Sequence, residues 1–293
     1  MDNSCSIRFL SYASDIAAAL RGTGEGAAAL RHSTFLSALT AAGIQFEWGT
    51  AVTPAAKAPS FESIAEQCQR LALQVINTLT QKKFFIALGG DHSSAVGTWS
   101  GVQQVLHSQG PLGLIWIDAH MDSHTPQTSL TGNIHGMPLA ALLGFGDSAL
   151  TQLINPLPKL RPEHICLIGI RSFEFGEAEL LRHLNVRIFY MDEVKKRGMQ
   201  SVMQEALSIV KKGTIRYGLS IDIDSMDPID APGTGVPEPD GIPANELIAA
   251  LKSVAYDPDL IGAEIVEFDP SRDKEQKTEK IIINMIKAMM VGK

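Results

Sequence analysis

Apolar residues in this chain fall into two recurring patterns. Short, nearly continuous apolar runs cover 7–12, 84–88, 112–117, 165–170, 186–190, 215–221 and 261–268, and each reads as a strand buried on both faces. Between them, apolar positions recur at helical spacing over 26–42, 60–80, 94–107, 135–143, 199–211, 243–255 and 274–291. This alternation predicts an α/β fold, a doubly wound and mainly parallel sheet with helices on both faces. At about 150 residues per domain, 293 residues would suggest two domains. The alternation runs without a break, however, so 1–293 reads as a single α/β domain.

The polar residues that carry chemistry sit where apolar runs stop. Asp118-Ala119-His120-Met121-Asp122 follows the run ending at Ile117. In an extended segment i, i+2 and i+4 share a face, so Asp118, His120 and Asp122 would converge as half of a metal site. Asp222 and Asp224, two apart after a second run, repeat the device. In a third place, residues 84–88 lead into Gly89-Gly90-Asp91-His92-Ser93-Ser94. Here the glycines permit unusual φ, the serines suit a helix start near Ala95, and His92 falls at a strand's carboxyl end. Taken singly, each has a plain alternative as turn punctuation or a structural histidine. As a set they fall where open parallel sheets bind ligands.

Four carboxylates and two imidazoles without a thiolate suit a hard or borderline divalent ion, manganese first, better than structural zinc. Four negative charges would balance two such ions. A pair about 3.5–4 Å apart, sharing a hydroxide, favours hydrolysis at carbon or phosphorus.

The segments GGDHS (89–93), DAHMD (118–122), GNIHGMPL (132–139) and SIDIDSMDP (220–228) resemble the ureohydrolases, which include arginases, agmatinases and formiminoglutamases, and most of all the arginases. The likeness runs from Arg21 to Glu267 and implies the arginase-like three-layer fold. It also implies two Mn(II) ions per chain, with Co, Ni or Fe as alternatives, and hydrolysis of a guanidino group to urea and an amine. By that resemblance His92, Asp118, Asp122 and Asp222 hold one ion, and Asp118, His120, Asp222 and Asp224 the other, with Asp118 and Asp222 bridging. Asp122 passes a proton to the departing amine, His135 shuttles protons, and Glu267 orients the guanidinium. Ser129, Thr131 and Asn133 match the loop that holds an α-carboxylate, and Glu174 and Glu177 the segment facing an α-ammonium. Two positions depart from the pattern, since Glu174 stands where Asp is commoner and His124 where arginases usually carry Asn. His124 leaves two readings open: it donates to the carboxylate of L-arginine, giving L-ornithine and urea, or it reshapes the rim for agmatine or a guanidino acid. A single-zinc deacetylase-like hydrolase and a non-catalytic binding protein are the remaining classes, and the complete ligand set disfavours both.

Composition narrows the partners. A net charge of −7 argues against a nucleic-acid surface and suits a small cationic substrate. No apolar stretch is long enough to span a membrane and Met1 opens no signal-like core, which points to a cytoplasmic protein without membrane contact. Cys5, Cys68 and Cys166 fit no metal or redox spacing and read as reduced thiols. Residues 227–243, rich in Pro and Gly, and 123–132 read as loops walling the cleft. Lys195-Lys196-Arg197 and Lys211-Lys212 read as solvated helix ends, and the apolar stripe over 281–290 as a packing or subunit face. The family resemblance implies a homo-oligomer, a trimer or hexamer.

Overall fold

In a computed structural model that describes residues 6–55, 58–255 and 257–291, eight strands form one sheet among the described residues. In chain order they are β1 (Ser6–Ser11), β2 (Gln45–Trp48), β3 (Phe84–Leu88), β4 (Leu112–Ile117), β5 (Ile165–Ile170), β6 (Arg187–Tyr190), β7 (Arg216–Asp222) and β8 (Leu260–Val266). Their spatial order is β2-β1-β3-β8-β7-β4-β5-β6, with every neighbouring pair parallel. Strands β3, β4 and β5 are buried along their whole length, which is why their sequences read as unbroken apolar runs.

Alternate strand residues feed two separate apolar layers. Ile115, Ile117, Leu219, Ile221 and Ile265 point to the layer covered by α1 (Gly26–Arg31), α2 (Ser37–Ala41), α8 (Met191–Arg197), α9 (Met199–Val210), α10 (Ala244–Leu251) and α11 (Lys277–Met290). Leu114, Trp116, Phe85 and Leu167 point the other way. That layer is covered by α3 (Phe61–Thr80), α4 (Ser94–Leu106), α5 (Pro138–Leu142), α6 (Ser148–Thr151) and α7 (Phe175–His183). The doubly wound architecture expected from the alternation is therefore present. Among the described residues no helix is long and apolar enough to cross a membrane.

Several boundaries differ from expectation. The helix expected over 26–42 is broken between α1 and α2, where Ser33 accepts from the Phe35 N–H and starts a separate tight turn. The helix expected from His135 starts at Pro138 instead; proline, lacking an N–H, belongs in a first turn, and Ile134–Gly136 forms its own single turn. The segment 243–255 is helical as α10 and then tightens over Lys252–Val254. Strand β2 and helices α6, α7 and α8 lie outside the expected elements, because such short elements carry little apolar periodicity. Of the basic groups at helix ends, Arg197 and Lys211 are paired rather than simply solvated: Arg197 meets Glu193 at 2.7 Å and Glu205 at 2.6 Å, and Lys211 meets Asp257 at 2.8 Å, while Lys196 and Lys212 are exposed as expected. The stripe over 281–290 is a packing face, with Ile282, Ile286 and Met289 in the core. Cys68 and Cys166 are buried free thiols; Cys5 lies outside the described residues.

One close approach anchors the centre of the sheet. The Trp99 ring of α4 lies on Gly218 in β7, where an added Cβ would sit 2.1 Å from the ring. Gly218→Ala should therefore destabilise the fold by about 1–3 kcal/mol, as overpacked cores do. A lowered urea midpoint would show it, and an unchanged midpoint would refute the packing argument.

Candidate metal centre

The carboxyl ends of β3, β8, β7 and β4 are adjacent in the sheet, and the residues that follow them meet at one point. His92 Nδ1 lies 3.2 Å from Asp118 Oδ2, 3.0 Å from Asp122 Oδ2 and 3.1 Å from Asp222 Oδ2. His120 Nδ1 lies 3.0 Å from Asp224 Oδ2 and 3.5 Å from Asp118 Oδ1. Ligand atoms of His92, Asp118 and Asp222 form one group within 4.8 Å, and those of Asp118, His120 and Asp224 a second. Asp118 belongs to both groups, while Asp222 joins the first. All six expected ligands thus come together. His92 Nδ1 is buried and makes no hydrogen bond although three carboxylates face it, which is the arrangement of a lone pair kept for a cation.

The local backbone is not the extended segment expected. β4 stops at Ile117, Asp122 has φ 46°, and Asp224 lies on a one-turn helix, Ile223–Ser225, started by Asp222 accepting from the Asp224 N–H at 2.9 Å. Curvature of the loop, rather than strand alternation, brings the three acidic and imidazole groups of 118–122 together. Nor do Gly89 and Gly90 adopt positive φ. Gly90 is needed for space, because a Cβ there would lie 1.9 Å from the Ser14 carbonyl oxygen. The serines also act differently from expectation: Ser93 makes no helix cap, and its hydroxyl donates to Asp91.

Beneath the ligands lies a polar layer that sequence reasoning did not find. His92 Nε2 is 3.0 Å from Ser220 Oγ, and that hydroxyl donates to Glu264 Oε1 at 2.7 Å, which also accepts from Trp99 Nε1 at 3.2 Å. The Trp116 ring stacks on His92 at 4.1 Å, and its Nε1 donates to Asp118 Oδ2 at 2.8 Å. Glu264 is one residue from the middle of an apolar run, and only the β7–β8 register, Ser220 opposite Glu264, connects it with His92.

Above the ligands opens a cavity of about 320 Å³ lined by His120, Asp122, His124, Ser129, Thr131, Asn133, His135, Glu174, Glu177 and Glu267, among others. Glu267, at φ 62°, accepts the His92 N–H at 2.9 Å and lies 3.1 Å from His135 Nδ1. Glu174 and Glu177 form the capping box that starts α7, and Glu177 accepts from the Ser123 N–H at 3.1 Å. His124 stands between them, Nε2 at 3.1 Å from Glu174 and 3.3 Å from Glu177, with Nδ1 3.1 Å from Thr128 Oγ1. Ser129 and Thr131 each accept from a backbone N–H of their own loop, Gly132 and Asn133 respectively. Residues 123–132 therefore wall the cleft as expected, and the 227–243 loop contributes Val236.

Crowded carboxylates shape the electrostatics. Burial, then the Asp118 charge, pushes Asp122 up to about 7. Asp222 is held well above the usual carboxylate range by burial, Asp224 and Asp118. Burial alone would lower His135, but its hydrogen bond to Glu267 and that residue's charge raise it to about 9. His92 and His120 are likewise raised by facing carboxylates against the effect of burial. In the metal-free state the cluster thus keeps protons to offset its own negative charge.

The family model for arginases matches residues 6–292. The chain belongs to the arginase family. It is 42% identical to an arginase of Bacillus caldovelox over 78% of this chain and 75% of that one, and 36% identical to one of Brevibacillus brevis over 95% of each. The crystal structure of Bacillus subtilis arginase superposes with a TM-score of 0.91 at 34% identity, covering 98% of this chain and 99% of that chain. As an arginase-family chain it is a hydrolase whose two donor groups suit a pair of divalent ions.

Ligand carboxylates and imidazoles must shed protons to bind a cation, so bound metal and protons compete. For metal-free protein the sign follows from Asp122: its folded value, about 7, lies above the unfolded one, so the folded state binds the extra proton and this group's contribution to stability falls as pH rises from about 4 through 7. An ion bound only by the folded state adds about 2.7 kcal/mol per site at about 100 times its Kd. We expect Mn(II) to raise the melting temperature by several degrees, and by more at pH 8 than at pH 6. Thermal melts with and without the ion check this; an equal increment at both pH values would contradict it.

Proposed function

We propose that this arginase-family chain hydrolyses the guanidinium of L-arginine to L-ornithine and urea, with two manganese ions resident and Co, Ni or Fe as substitutes. The observation that carries the reading is the convergence of two His/Asp groups sharing Asp118 at the floor of a cavity rimmed by Glu174, Glu177 and Asn133. When bound, the ions would supply an activated water for attack at the guanidinium carbon, and His92, Asp118, His120, Asp122, Asp222 and Asp224 would hold them.

The chain's own groups do the rest. Glu267, 4% exposed at the cavity base, orients the planar cation by charge-assisted hydrogen bonds. Asp122, its Oδ2 3.0 Å from His92 Nδ1 at the cavity floor, takes a proton from the attacking water and hands it to the departing amine nitrogen. His135 carries protons between that amine and solvent, its Nδ1 kept protonated by Glu267. At the rim Ser129, Thr131 and Asn133 receive the α-carboxylate, while Glu174 and Glu177 face the α-ammonium. The protein acts as a cytoplasmic homo-oligomer, a trimer or hexamer, on a small molecule.

His135→Ala should lower kcat by about 10²–10⁴-fold, the usual worth of a positioned acid or base, while bound metal stays at two equivalents. Metal analysis beside steady-state kinetics decides this, and lost metal would make His135 a structural group instead.

A second reading, agmatine or a guanidino acid as substrate, draws on His124. Both its ring nitrogens already have protein partners, Thr128 on one side and Glu174 with Glu177 on the other, which ties it to the ammonium side of the rim. Release of urea should be measured with arginine, agmatine and guanidinobutyrate, and of formamide with formiminoglutamate. If arginine is the substrate, His124→Asn should keep or raise its kcat/KM and shift little toward agmatine. A wild type that prefers agmatine, reversed by His124→Asn, would overturn the arginine assignment.

A further inference from the structure

Both ligand imidazoles turn Nδ1 toward the carboxylates, so each must carry its proton on Nε2 if Nδ1 is to bind a cation. Behind His92 that proton has a fixed acceptor in Ser220 and Glu264. Behind His120 the nearest acidic group is Glu238, whose Oε1 stands 3.5 Å from Nε2.

Glu238 is held in that place from three sides. Its Oε1 accepts from Ser172 Oγ at 3.0 Å. Arg171 donates to the Glu238 carbonyl at 2.9 Å, to the Pro239 carbonyl at 2.9 Å and to the Asp224 carbonyl at 2.7 Å, which ties the Glu238 loop to the turn bearing a ligand of the same ion. Pro237 and Pro239 flank it, fixing φ on either side and restricting Glu238 itself. A glutamate on a free loop would lose side-chain and backbone freedom on meeting an imidazole; here most of that freedom is already gone.

We infer that Glu238 is a positioning residue for the metal centre: its Oε1 accepts the Nε2–H of His120 and holds that ring with the Nδ1 lone pair turned toward Asp118 and Asp224. The inference rests on the two-ion reading of the site. Acceptors behind metal-bound histidines are worth about 10–100-fold in metal affinity. Glu238 thus acts on an ion position from a loop rather than from the sheet.

The test is a titration of metal-free protein with Mn(II), following the free ion by its electron paramagnetic resonance signal, for wild type, Glu238→Ala and Glu238→Gln. Wild type should take up two ions. Glu238→Ala should weaken one of the two binding steps by about 10–100-fold and leave the other unchanged. Glu238→Gln keeps an acceptor oxygen at the same reach and should stay within a few-fold of wild type, a rescue that a merely space-filling residue would not show. Thermal melts of the metal-free proteins report whether the loop variants fold equally well. Two unaltered steps in Glu238→Ala, or both weakened alike, would overturn the assignment of Glu238 alone. A wild type that binds fewer than two ions would instead overturn the two-ion reading.

Discussion

Mutual repulsion among buried carboxylates is the constraint around which this molecule is arranged. Two like charges about 4 Å apart repel by about 4 kcal/mol at an effective dielectric of 20. Asp118, Asp122, Asp222 and Asp224 are all at most 7% exposed, and their oxygens crowd two imidazoles. Such a cluster folds only if positive charge enters with it. Without metal, protons do this, which is why Asp122, Asp222, His92 and His120 all hold theirs more tightly than usual. Divalent cations held by the two donor groups would serve the same purpose and leave the oxygens free to coordinate.

Everything nearby serves to hold that point still. Four adjacent strands end at it, and strands packed into two apolar layers have little freedom to shift. Asp122 and Glu267 occupy left-handed backbone that costs a non-glycine residue about 1–3 kcal/mol, and each is pinned by its neighbours. The Asp122 carbonyl accepts from the Leu139 N–H at 2.9 Å, and the Glu267 N–H donates to the Gly90 carbonyl at 2.8 Å. Floor and rim differ accordingly. The floor is buried and hydrogen-bonded from below, whereas Ser129, Thr131 and Glu174 stand at the open mouth on loops, where a side chain such as His124 can vary without disturbing the buried His/Asp cluster.

The floor was largely legible in the sequence because its residues cluster within a few positions of strand ends. Alternation along an extended segment selected Asp118, His120 and Asp122, yet they meet through a bend with Asp122 at φ 46°. The glycines of Gly89-Gly90 were noticed for dihedral freedom and turned out to provide room beside Ser14. Helix α7, short and charged, carries Glu177 to the rim without an apolar period that the sequence could display.

By itself the sequence determined the alternation of buried strands and helices, and with it a doubly wound sheet and six candidate ligands at strand ends. These are local properties: the period of an element and the residue that follows it are written within ten residues of one another. Only the tertiary structure decided that β3, β8, β7 and β4 lie side by side, that Ser220 and Glu264 stand behind His92, and that Glu238 stands behind His120. Glu264 is 172 residues from His92 and Glu238 is 118 from His120 by their numbers in the chain. Contacts of that separation depend on strand order and register, which are set by the packing of the whole sheet and leave no trace in the residues' own surroundings.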